Sequence, residues 1–178
     1  MRTTAFFLCA FTILTGADIA TTYIALGRGG HELNPFTDTS SLWTLTRPEL
    51  IAAALGSASV FLGVSLLRRS RLRDSVARAS DFYVRFWSAS HLLGAVLVFV
   101  PVGVSLTRIM PVASNLSMLA FGFSPWIEMT GYISRRFSMS PYAGLLVAQG
   151  VLGGFLVVPF TGIIRRVIRF DLKPREGV

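Results

Sequence analysis

Cysteine occurs once in this chain, at Cys9, and histidine twice. A single thiol closes no internal disulfide and supplies no redox or metal-binding pair, so Cys9 reads as a small apolar residue of the first helix. Charge is sparse as well. Asp, Glu, Lys and Arg make up 15% of the 178 residues, against 52% hydrophobic residues and a mean hydropathy of +0.60. That leaves too little polar surface to cover a soluble domain. The chain carries no His-Glu-x-x-His, no Gly-x-Ser-x-Gly, no Walker loop and no second cysteine, which removes the familiar metalloprotease, hydrolase and nucleotide-binding sets. Ser124-Pro125 and Ser140-Pro141 punctuate loops.

What the chain does have is long apolar runs. Stretches 4–26, 50–67, 86–106 and 142–164 have the length of a membrane span, and each is expected to be helical because a helix satisfies its own backbone in lipid. The amino-terminal run continues past the small-residue pair Thr15 and Ala17, so it reads as an uncleaved anchor rather than a signal peptide. The fold class is therefore an all-α membrane protein, a bundle of four transmembrane helices in one domain over 1–178. The net charge of +8 does not point to nucleic acid, because the basic residues are nearly all arginine and flank apolar runs instead of lining an aromatic groove.

One arginine block, holding Arg68, Arg69, Arg71, Arg73, Arg78 and Arg85, separates the second and third runs, and another follows the fourth. The positive-inside rule puts both blocks, and both termini, on the cytoplasmic side. The expected location is a prokaryotic cytoplasmic (inner) membrane. Stretch 74–87, with Val76, Phe82, Tyr83 and Phe86 among the arginines, suits a helix lying on anionic lipid headgroups. Residues 109–137 are apolar, but Pro111, Asn115, Gly122, Pro125 and Glu128 interrupt them, and a fifth crossing would expel an arginine block. They read as an outward-side re-entrant or interfacial hairpin, followed at the carboxyl end by a mobile tail over 171–178. Trp43 and Trp126 belong at the outer interface and Trp87 at the inner one.

Polar residues inside this frame are the candidate site. Thr15, Asp18 and Thr22 are spaced three and four apart, which makes one stripe on the first helix. Asp18 falls about 12 Å in from the outer end at 1.5 Å per residue, where a charge costs at least about 2.5 kcal/mol. Ranking partners by depth selects Gln149 over His91, and predicts a neutral Asp18 carboxyl that shares a hydrogen bond with Gln149 and tolerates Asp18→Asn. After a glycine-rich turn come His31, Glu32, Asn34 and Pro35. Glu32 and Asn34 either cap helix ends or bind a ligand at the bundle mouth, with His31, His91 and Glu128 as additional candidates. Their spacing matches no zinc or calcium signature, so no metal or other cofactor is assigned. Gly150 with Gly154, and Ala52 with Gly56, are small-residue pairs suited to close helix packing.

The pattern Asp18, Thr22, Gly29 or Gly30, Glu32, Asn34, Pro35 resembles a family of small prokaryotic multi-pass membrane proteins of unknown function. The resemblance covers about 15–106 and implies that these polar residues act as one unit, without supplying a reaction. Three functions follow. The leading one is a non-catalytic accessory or assembly subunit, a homo-oligomer or the partner of another membrane protein. The others are a small oligomeric transporter or proton-coupled channel using Asp18, and an intramembrane enzyme on a lipid-linked substrate, with Glu32 or Asp18 as acid-base group and Arg135 or Arg136 near the headgroup.

Overall fold

The computed structural model describes residues 1–28, 39–69, 72 and 77–172. Every regular element among them is helical: α1 (Arg2–Gly27), α2 (Leu42–Arg69), α3 (Ala79–Phe86), α4 (Leu92–Thr107), α5 (Ile109–Phe121), α6 (Pro125–Arg136) and α7 (Pro141–Leu172). Four stretches are long and apolar enough to cross a membrane, namely Arg2–Gly27, Leu42–Arg69, Leu92–Phe121 and Pro141–Leu172. The all-α, four-span architecture is thus the one the composition calls for.

The third span is where the boundaries move most. It was expected to end near Leu106, yet α5 begins one residue after α4, with Arg108 itself in right-handed helical geometry (φ −61°, ψ −14°). Pro111 explains the joint. It lies in the first turn of α5, where a missing N–H is tolerated. The hairpin that follows is α5, a left-handed Gly122 (φ 72°), and α6, whose first turn is capped by the Ser124 hydroxyl accepting from Ile127 N.

By compactness the chain divides into two units. The first comprises Met1–Phe11, Ala53–Ser105 and Leu156–Val178, and the second Thr12–Ala52 and Leu106–Phe155.

In the first unit α2 and α4 approach at glycine. A Cβ on Gly63 would sit 2.8 Å from the Gly94 carbonyl oxygen, so the two backbones touch. One turn further on, Pro101 has no N–H to offer the Leu97 carbonyl, and the Ser59 hydroxyl of α2 donates to that oxygen instead at 2.9 Å. Val60, Val64, Leu67, Ala95 and Val98 close the core around this crossing. Gly56 packs against the Phe7 ring of α1. The helix α3 buries Phe82 and Phe86 completely, stacked at 5.1 Å. Those two rings of α3 are packed against protein. Tyr83 donates to the Val158 carbonyl at 2.8 Å, and Trp87 donates to Thr161 at 3.3 Å. The buried Asp171 carboxylate takes the backbone N–H groups of Arg2 and Thr3 at 2.8 and 2.7 Å, which caps α1 from the far end of the sequence. The Asp171 carbonyl accepts from Arg68 Nε.

The second unit turns hydroxyls inward and hydrocarbon outward. Ser114 and Ser124 share a buried hydrogen bond of 2.9 Å, and Thr130 and Ser134 of α6 are buried against Gly144 of α7. Meanwhile Ile13, Phe121 and Phe155 are 69%, 78% and 78% exposed. Water would penalise such a surface heavily, whereas lipid accepts it.

Candidate functional site

Two carboxylates of the second unit, Asp18 and Glu49, converge on Arg108, at the joint between α4 and α5. Its Nη2 donates to Glu49 Oε2 of α2 at 2.7 Å, and its Nη1 reaches Asp18 Oδ2 of α1 at 3.5 Å. One planar guanidinium thus serves two carboxylates from two other helices, a task its forked donors suit and a lysine ammonium does not. The three side chains are only 19–22% exposed. Burial raises the energy of each charge taken alone, so the cluster is stable only as a set.

A second polar bond lies along α1 and α5. Asn115 Nδ2 donates to Thr22 Oγ1 at 3.0 Å and to Thr21 Oγ1 at 3.2 Å. The Thr21 hydroxyl in turn donates back to the Ala17 and Asp18 carbonyls. Asp18 and Thr22, one turn apart, therefore face Arg108 and Asn115, seven residues apart on the adjoining helices. Beyond them Arg28 Nη1 reaches the Leu119 carbonyl at 3.5 Å. Thr15, which extends the stripe in sequence, is buried, and its hydroxyl has no hydrogen-bond partner among the described residues.

The structure brings Asp18 and Thr22 into one polar seam, as the stripe implied, but changes their partners. Gln149 is half-buried on α7 and makes no hydrogen bond among the described residues. Asp18 lies beside the Arg108 guanidinium and not beside the Gln149 amide. Arg108, Glu49 and Asn115 are the residues the sequence reading missed. His31, Glu32, Asn34 and Pro35 lie outside the described residues.

Of the additional candidates, His91 sits in the turn before α4, its Nδ1 2.8 Å from Ser88 Oγ and 3.0 Å from Ser90 Oγ, in the first unit. Glu128 is exposed in the first turn of α6, where a carboxylate suits the helix dipole. No group of three His, Cys, Asp or Glu capable of holding a metal ion occurs among the described residues. Gly56 is a packing glycine and Ala52 is exposed. A Cβ at Gly150 or Gly154 would meet nothing within 4 Å among the described residues.

Chemically, the cluster fastens charges to one another inside apolar helices, which is a means of fixing helix register and azimuth. Four apolar helices mark the chain as a multi-pass membrane protein. No protein-family model, no curated protein and no solved structure matches it.

Proposed function

We propose that the chain is a non-catalytic integral membrane subunit, held in shape by its own buried charges, whose apolar flank is given to another membrane protein or to a second copy. The observation that carries this reading is the Arg108 cluster, in which both carboxylates of the cluster spend their charge on a guanidinium of the same chain. Polar residues used in this way build a platform. The open Gly150 and Gly154 positions on α7 are the natural place for a further helix, since small residues let backbones approach closely in lipid.

The test is mass measurement after gentle detergent extraction, with and without crosslinking. A species heavier than the 19.4 kDa chain is expected, reverting to one chain in Gly150→Leu/Gly154→Leu. A monomer without a co-purifying protein, in wild type and variant alike, rejects the proposal.

A second reading draws on the unequal arms of the cluster. Asp18, at 3.5 Å, is held less closely than Glu49, at 2.7 Å, and intramembrane carboxylates mark ion and proton pathways in transporters. On that reading flux in proteoliposomes falls sharply in Asp18→Asn. Flux equal to that of empty vesicles in wild type and variant removes it.

A further inference from the structure

The first unit gathers arginines at the ends of three of its helices. Arg2, Arg68, Arg69, Arg165, Arg166 and Arg169 sit on the first turn of α1 and the last turns of α2 and α7. These three helix ends are fastened together through Asp171. The Asp171 carboxylate is already engaged by two backbone N–H groups, so it caps a helix instead of pairing with a side chain.

Two of these cations are held in a defined place. The Arg2 guanidinium lies 4.8 Å from the centroid of the Phe170 ring, and the Arg169 guanidinium 4.7 Å from the same centroid. They are therefore within about 10 Å of each other, near one Debye length at 0.1 M salt, and each raises the energy of the other. Both are exposed, and neither makes an ion pair among the described residues. The ring, 42% exposed, orients both through cation–π contact. Both present guanidinium forks of the kind that match phosphate geometry.

We propose that Arg2 and Arg169, seated on Phe170, bind the phosphate of an anionic lipid headgroup at this end of the chain. A lipid is favoured over free phosphate because the cations flank an exposed aromatic ring at the termini of apolar spans, where acyl chains adjoin the headgroup.

Native mass spectrometry of the full chain in detergent tests this, with phosphatidylglycerol, phosphatidylcholine and inorganic phosphate as separate probes. Wild type should retain phosphatidylglycerol, with retention falling as salt rises. Arg2→Gln/Arg169→Gln should weaken it by about tenfold or more, since each arginine near an anionic surface contributes on the order of fivefold. Arg47→Gln on α2, at an exposed arginine of the second unit, should leave it unchanged. Phosphatidylcholine should be held weakly and equally by all three proteins. Undiminished phosphatidylglycerol binding by the double variant overturns the proposal, as does inorganic phosphate binding as tightly as the lipid. If the double variant fails to fold, salt-independent phosphatidylglycerol retention by wild type overturns it equally.

Discussion

Replacing Arg108 with Gln would strand Asp18 and Glu49 as two carboxylates with no guanidinium between them. Breaking a buried pair by removing one partner costs about 3–5 kcal/mol, and the residual exposure of these groups brings the expected loss to roughly 2–3 kcal/mol. The check is thermal unfolding in detergent, and an unaltered midpoint would remove the cluster from the stability of the protein. Neutralising the stranded carboxylates with Asp18→Asn and Glu49→Gln in the same chain should recover part of the loss, because the charges themselves are the source of the penalty. Singly, Asp18→Asn should now behave like Asp18→Leu, each losing about 1–2 kcal/mol, since an amide cannot meet the charge of Arg108. A neutral acid paired with Gln149 would have left the Asn variant intact, so the two single variants discriminate directly between the partners. Glu49→Gln should be the more damaging single change, its oxygen being the closer of the two.

At the scale of elements, the Ser59–Leu97 bond is a repair of the ladder that Pro101 interrupts. Ser59→Ala should leave that carbonyl short of a donor and cost about 1 kcal/mol. In a Pro101→Ala background, where the helix supplies its own N–H, the same change should cost almost nothing. A double-mutant cycle with no coupling would show that the hydroxyl is incidental. Gly63→Val should be costlier than either, because it drives a side chain into the Gly94 backbone. Much of this level could be read in advance. Apolar run length, a one-dimensional property, located four spans. The spacing of Asp18 and Thr22 located a polar stripe, because i and i+4 share a face whatever surrounds the helix. Partner choice was hidden, since depth ranks residues along the membrane normal but says nothing of azimuth, and so a ranking of Gln149 over His91 never weighs Arg108. Pro111 and Asn115 looked like interruptions of an apolar run. In place, one sits harmlessly in a first turn and the other is the bond between α1 and α5. The close glycines were likewise concealed, since Gly63 and Gly94 lie on different helices and form no motif within either.

Over the whole molecule, exposed hydrocarbon such as Phe61, Phe121 and Phe155 suits a chain dissolved in lipid, and every exposed apolar residue is then potential contact area. The Gly150 and Gly154 positions give the assembly reading a sharp handle, because a Cβ at either meets nothing within 4 Å among the described residues. They should leave the unfolding midpoint of a monomer in place while lowering the mass of any assembly. Loss of folding would instead show that α7 needs those positions internally. The Asp171 cap bears on the order of synthesis. The acceptor of the Arg2 and Thr3 amides is synthesised 168 residues after Thr3. At about 5–20 residues per second the two amides wait on the order of ten to thirty seconds for that carboxylate, and water must carry them meanwhile. A chain ending at Phe170 should exchange both amide hydrogens freely, and one ending at Leu172 should protect them; equal exchange would show that the cap does not form. With the cap in place, the last turn of α7 decides when the first turn of α1 is finished.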